Sequence, residues 1–534
     1  MSSHNDNDLS QDRLHPVPNR LIHPISALHH DMLYEIFLWN ADMFDDEYLP
    51  DAIRQSSQVC RAWRSCLLNS PDIWGRLIDL AVLDQKTDFW RDEILRRSGN
   101  SMLEISGSVS HAKFQVYKPV DLFFFSILDS HWARIRHFRI RIRKEVPTEK
   151  DLWSPLLRPA PNLQTFTLNL NRGVLGPLSP STIPLFSDHA PILYHFTAEF
   201  LLVSLTAPWL SHLCTLHLPS RFSVSAVLSA LYSMKRLEFL TIDGFSRAKR
   251  DNASPSLPVV MLPHLKSLIV EEKRLPLGIL IDFLTHVHYA DQCGVRFDGM
   301  VDSMSPTKLQ DLEAYCTLFP SILQRYLSTH TVSSLDFYLT TVMFNVWDWD
   351  ELRLGIIFNG AWLPTDYYEL FASVPSSYDF SSVTNLNLKL GPPSTPYPVV
   401  SPTTLSSFSG VTSLHADLET LRSIIFMRPS NLKGPTCAAF PLLQEIVLED
   451  TDFINADDDT TPIAHCIYGR VGSGKPTFKL DLGLASDWSW GFNAHLGSEL
   501  ESLTGLRVIW STDSGKHLDY ICGSGVPESI LSRT

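Results

Sequence analysis

Between residues 24 and 74 apolar side chains recur at helical spacing. The first string, HPISALHHDMLYEIF, places Ile25, Leu28, Met32, Leu33, Ile36 and Phe37 on one stripe of a helix. The second, SSQVCRAWRSCLLNSPDIW, repeats the device with Val59, Cys60, Trp63, Leu67 and Leu68. Asn69-Ser70-Pro71 ends that helix, because a proline pushes the residue before it out of helical geometry. An acidic spacer separates the two strings. About fifty residues of short helices bury little surface by themselves. Such a unit leans on the rest of the chain or on a partner.

Further along, the period changes. Phe89, Trp90, Ile94 and Leu95 predict a helix that ends at Arg97-Ser98-Gly99, with the glycine suited to a left-handed cap. Residues 102–105 then read as a strand, and so does RIRHFRIRIRK over residues 134–144. There Ile135, Phe138, Ile140 and Ile142 alternate with arginines, which predicts one wet face; an acidic partner is the sharper reading of the same arginines.

From Ile135 onward an imperfect unit recurs, apolar-x-x-apolar-x-apolar. Copies stand at Leu163/Phe166/Leu168, Leu213/Leu216/Leu218, Leu237/Leu240/Ile242, Leu265/Leu268/Val270, Val383/Leu386/Leu388 and Leu443/Ile446/Leu448. Weaker copies begin at Leu193, Val332 and Val411, and one lies near Leu506/Val508. Neighbouring copies are commonly roughly 20–32 residues apart, and the pattern resembles leucine-rich repeats, in which each unit gives one strand of a curved parallel sheet. Helix-compatible runs at residues 224–234, 277–286 and 418–427 fall between strands. The pattern lapses around 290–330, 340–380 and 450–500, which predicts irregular insertions with extra strands. The Pro-rich loop 391–402 and the acidic loop 450–461 are expected to be mobile.

The N-terminal module resembles an F-box, in the variant common in fungi. That variant runs Leu-Pro-Pro-Glu-Ile-Leu-x-Glu-Ile-Phe, then x-Val-Cys-Arg-x-Trp-Arg, then Ser/Thr-Pro-x-Leu-Trp. Here Leu28, Asp31, Met32, Leu33, Glu35, Ile36 and Phe37 fall on the first string. Val59, Cys60, Arg61, Trp63 and Arg64 fall on the second, and Ser70, Pro71, Ile73 and Trp74 on the third. His29 and His30 replace the family's prolines, which removes a pre-organised φ at the helix entry.

The resemblance implies an α/β chain: a three-helix F-box, then an irregular leucine-rich-repeat-like solenoid with a curved, mainly parallel sheet. The expected organisation is a disordered N-terminus at 1–20, the F-box at 21–76, a linker helix at 77–100 and the repeat domain at 101–534. It further implies a substrate-recognition adaptor of an SCF-type cullin ubiquitin ligase. The F-box would dock a Skp-family adaptor through Leu28, Met32, Leu33, Ile36, Phe37, Val59, Cys60 and Trp63, and the repeat domain would hold a target protein. A repeat scaffold with a degenerate F-box is the alternative, and a nucleotide hydrolase the other.

Composition narrows this. A formal net charge of −14 over 534 residues disfavours nucleic-acid and acidic-membrane partners. No apolar run approaches the roughly 20 residues of a membrane helix. The eight cysteines are scattered with no C-x-x-C pair, which fits reduced thiols in a cytoplasmic or nuclear protein.

Candidate chemistry is sparse. Residues 469–477, GRVGSGKPT, approach a phosphate-binding loop, but Pro476 occupies the position of the magnesium-holding hydroxyl and Thr477 comes one residue late. A Gly-rich turn explains the same residues, and Phe478 to Leu482 alternate like a strand. His286, His288, Asp291 and Cys293 are metal-ligand types, yet zinc wants four ligands in closed geometry, and this cluster reads as a helix terminus. Asp42, Asp45, Asp46 and Glu47, and Asp457, Asp458 and Asp459, read as solvated loops. Trp347 and Trp349, and Trp488 and Trp490, are spaced to share a strand face. No catalytic residue, cofactor or metal is expected.

Overall fold

The computed structural model describes residues 28–41, 50–109, 118–142, 150–170, 184–198, 203–246, 257–271, 277–301, 306–340, 343–348, 354–360, 365–391, 405–426, 440–449, 461–468, 470–471, 478–484, 500–511 and 517–524. Ile25, the loops expected at 391–402 and 450–461, both acidic clusters, Trp349, Trp488, Trp490 and the N-terminal twenty residues lie outside the described residues, apart from Gly391 and Thr461. The chain is mixed α/β, with a large, mostly parallel sheet that does not close on itself. It divides into two compact units: residues 1–109 with 114–140, and residues 110–113 with 141–534.

The first unit begins with four helices: α1 (His30–Asn40), α2 (Pro50–Val59), α3 (Arg61–Leu68) and α4 (Pro71–Gly75). The single helix expected through Val59 to Leu68 is two. Cys60 is fully extended, at φ −156° and ψ 169°, and its Sγ accepts from the Trp63 amide at 3.5 Å. A side chain that caps one helix cannot lie inside it, so Val59 ends α2 and Arg61 opens α3. Pro71 takes the first position of α4, where its missing N–H costs nothing.

His29 answers the loss of proline at the start of α1. Its φ is −63°, the value a pyrrolidine ring would impose, and its Nδ1 accepts from the Asp31 amide at 3.4 Å. Leu33, Phe37, Ala41, Ile53, Cys66, Leu67 and Ile73 form the core of this bundle. Phe37 meets Trp63 edge-on at 5.1 Å.

After α4 come β1 (Ile78–Asp79), α5 (Phe89–Ser98), β2 (Leu103–Val109), α6 (Pro119–His131) and β3 (Ile135–Ile142). Strands β1 and β2 run parallel, and β2 also pairs with β3. Gly99 closes α5 at φ 51°, ψ −118°, so the glycine is needed but the cap is not the left-handed helical one expected. Gly107 sits at φ +126°, and a Cβ there would meet the Leu80 Cβ at 2.8 Å. Ile135, Phe138, Ile140 and Ile142 are all buried. Two of the arginines serve the unit itself. Arg134 donates to the Ser101 carbonyl at 2.8 Å, and Arg136 pairs with the buried carboxylate of Glu104, which also takes Arg76 at 3.3 Å.

The second unit carries seventeen strands among its described residues: β4 (Thr165–Leu170), β5 (His195–Ala198), β6 (Thr215–Leu218), β7 (Phe239–Ile242), β8 (Val260–Leu262), β9 (Ser267–Val270), β10 (Val287–Tyr289), β11 (Gly294–Val301), β12 (Ser334–Leu339), β13 (Met343–Asp348), β14 (Leu354–Gly360), β15 (Asn385–Leu390), β16 (Ser413–Ala416), β17 (Glu445–Leu448), β18 (Lys479–Leu484), β19 (Arg507–Ser511) and β20 (His517–Ile521). Parallel pairing runs β4-β5-β6-β7-β9-β11-β14. Then β13 pairs antiparallel with both β14 and β12. Parallel order resumes through β12-β15-β16-β17-β18-β19, and antiparallel β20 follows. Strands β8 and β10 form a separate parallel pair.

Each repeat copy found in the sequence within this unit coincides with a strand, and its second and third apolar residues are buried: Phe166 and Leu168, Leu216 and Leu218, Leu240 and Ile242, Leu268 and Val270. Helices Val224–Leu231, Leu277–His286 and Leu418–Phe426 occupy the expected stretches between strands. The lapse at 290–330 holds β11 and the long helix Pro306–Thr329; the lapse at 340–380 holds β13, β14 and the helix Thr365–Ser377. Tyr326 on the long helix donates to buried Asp348 on β13 at 2.6 Å.

Candidate functional site

Helix α1 is apolar on two adjacent stripes. Leu33, Phe37 and Ala41, four residues apart, point into the bundle and are buried. Met32, Ile36 and Trp39, at the next positions round the helix, face outward. They are 55%, 42% and 77% exposed. Val59, at the end of α2, is 60% exposed, and Cys60 beside it is exposed as well. Scattered apolar surface residues are ordinary. Three large ones at helical spacing are a stripe, and such stripes mark contacts.

The eight residues assigned to docking therefore separate into two roles. Met32, Ile36, Val59 and Cys60 are at the surface. Leu33 and Phe37 are core, and Leu28 and Trp63 pack half-buried against that core. The sequence pattern did not single out Trp39, although its spacing of i+7 from Met32 and i+3 from Ile36 was the available signal. Tyr34, next to the stripe, hydrogen-bonds Asp72 at 3.3 Å; partial burial and that carboxylate raise its pKa.

Covering a large aliphatic or aromatic side chain contributes about 1.5–3 kcal/mol. Association itself costs at least about 4 kcal/mol. Covering Met32, Ile36, Trp39 and Val59 together contributes about 6–12 kcal/mol, which exceeds that lower bound.

A second surface lies on the polar rows of the sheet in the second unit. Thr167, Thr197, His217 and Thr241 stand in register across β4 to β7. His195 lies within 3.2 Å of the Thr197 hydroxyl, and His217 Nε2 pairs with Asp243 at 2.6 Å. From β15 onward the row becomes charged in opposite pairs. Lys389 meets Asp417 at 3.8 Å, His415 meets Glu449 at 3.8 Å, Lys479 pairs with Glu445, and Arg507 holds Asp519 at 2.6 Å. These side chains set donors and acceptors at fixed spacing along the sheet face.

The other candidates fare differently. The glycine-rich stretch, but for Arg470 and Val471, lies outside the described residues; the next element, β18, is a strand where a phosphate-binding loop needs a helix. His286 ends its helix and its Nδ1 sits 2.7 Å from the Asp282 carbonyl. Cys293 is buried, and that burial pushes its thiol up to about 12. Among the described residues no group of three or more His, Cys, Asp or Glu is placed to hold a metal ion, and no helix is long and apolar enough to cross a membrane. Trp347 on β13 is half-buried, with the Arg296 guanidinium 4.3 Å from its ring centre. No family model matches the chain, and no curated protein matches it in sequence.

Proposed function

We propose that this chain is an adaptor without an active site of its own, whose N-terminal helices act as an F-box. The carrying observation is the outward stripe Met32, Ile36 and Trp39, with Val59 nearby, left uncovered on a bundle whose inner stripe is already packed. By the resemblance, a Skp-family adaptor covers it and connects the chain to a cullin ubiquitin ligase. The polar rows of the second unit's sheet then present a target protein. The mechanism is proximity: a tethered target reaches a high effective concentration near the ubiquitin carrier.

Co-purification with a fungal Skp-family adaptor tests this. The full-length chain retains the adaptor. The pair Met32→Asp and Ile36→Asp loses it, because docking would bury unpaired charge. Equal retention by both contradicts the docking role. A nucleotide hydrolase is the reading from another class; Lys475→Ala leaves nucleotide retention unchanged if the adaptor reading holds.

A further inference from the structure

A cleft of about 530 Å³ opens within the first unit, between α2, α3, α4 and α5. Its floor is apolar: Ile53, Leu67, Trp74 and Ile94 line it and all four are buried. Trp90 adds a wall and meets Trp74 edge-on at 5.9 Å. Three arginines complete the lining, Arg54, Arg64 and Arg97.

The arginines are not equivalent. Arg97 lies 4.6 Å from the Trp74 ring centre and bonds Glu93 at 2.6 Å, so it is held in place and its charge is answered. Arg54 and Arg64 are exposed and make no ion pair or side-chain hydrogen bond among the described residues. The cleft thus joins an indole-rich floor to two cations that lack an anion.

That combination selects an occupant. A neutral apolar molecule would fill the floor but take water from the guanidinium groups and return nothing. A small inorganic anion would satisfy the arginines and leave the floor wet. A molecule with an apolar ring system and a carboxylate, sulfonate or phosphate satisfies both, since arginine offers its fork to planar or tetrahedral oxyanions. The volume falls within the roughly 300–1,000 Å³ of small-molecule sites. A stable protein interface, by contrast, covers about 800 Å² per partner. We propose that this cleft binds a small amphipathic organic anion, head group at Arg54 and Arg64 and apolar body against Trp74 and Trp90. The proposal stands whether or not the adaptor reading does.

The test uses the full-length chain and two probes of one shape. One is 8-anilinonaphthalene-1-sulfonate and the other its uncharged relative N-phenyl-1-naphthylamine, each titrated by fluorescence. The sulfonate binds more tightly, and added salt weakens it. Arg54→Gln with Arg64→Gln lowers sulfonate affinity about tenfold, the scale of one charge-assisted hydrogen bond, and leaves the neutral probe unchanged. Val82→Trp, placed at the exposed mouth, lowers the affinity of both probes. Equal affinities for the two probes, or sulfonate binding that neither variant alters, overturns the proposal. Each variant is compared at a matched melting temperature, so a loss of fold is recognised as such.

Discussion

At the scale of single residues, neighbouring positions on one helix carry opposite consequences. Leu33 is buried in the bundle, while Met32 is mostly exposed. Leu33→Asp places a charge in the core and unfolds the first unit. Phe37→Ala empties a fully buried aromatic site and costs about 3–5 kcal/mol. Met32→Asp changes stability by no more than about 0.5 kcal/mol. Urea midpoints for the three variants check this order, and a Met32 effect as large as that of Phe37 contradicts the assignment.

The cysteines divide the same way. Cys60 is exposed, whereas burial raises the Cys293 and Cys522 thiols to about 12. N-ethylmaleimide at neutral pH labels Cys60 in the native chain and reaches Cys293 and Cys522 only after denaturation. Mass spectrometry of the labelled peptides shows which. Equal labelling of the three contradicts the burial described.

Glu93 has a pH signature. Its hydrogen bonds from Arg96 and Arg97 lower its pKa from the usual 4.5 to about 2. The folded value is the lower one, so the stabilisation is present above pH 4.5 and lost as pH falls towards 2. Glu93→Gln removes that part of the acid dependence, which urea midpoints across the window measure; an unchanged slope contradicts it.

Among elements, the strands of the second unit show what the pattern reveals and what it conceals. Copies at β4, β6, β7, β9, β15 and β17 stood out because three apolar positions recur in each. Strand β11 did not. Its register sets Val295 opposite Leu268 and Phe297 opposite Val270, so the position equivalent to Leu265 is Gln292, and the first apolar mark is missing. Strands β13 and β14 were hidden for another reason. Between β12 and β11, β13 runs antiparallel to both its neighbours and β14 turns back parallel to β11, and the pair obeys no repeat period. The split between α2 and α3 was also concealed, since Cys60 extends the chain without a glycine or proline to announce it. Leu240→Ala, in a fully packed strand, costs about 2–5 kcal/mol of stability, read from denaturant unfolding; a loss below about 1 kcal/mol contradicts a shared core there.

For the molecule as a whole, the helical module at the front and the strand-rich remainder were both legible from hydrophobic spacing. The division of the eight docking residues was not. Helical periodicity identifies a stripe but not which of two adjoining stripes faces inward, because Met32 and Leu33 differ by one position. Only the packing of α2 and α3 against α1 decides it, and that is a property of the folded unit. The polar rows on the sheet are likewise invisible to an apolar pattern, for they occupy the positions it leaves blank.

The most direct measurement is the affinity of the full-length chain for a purified Skp-family adaptor, by calorimetric titration, with and without Met32→Asp and Ile36→Asp. The double variant loses affinity at least about a hundredfold, equal to roughly 2.7 kcal/mol, at an unchanged melting temperature. Equal affinity for both proteins, or no binding by the unaltered chain, contradicts it.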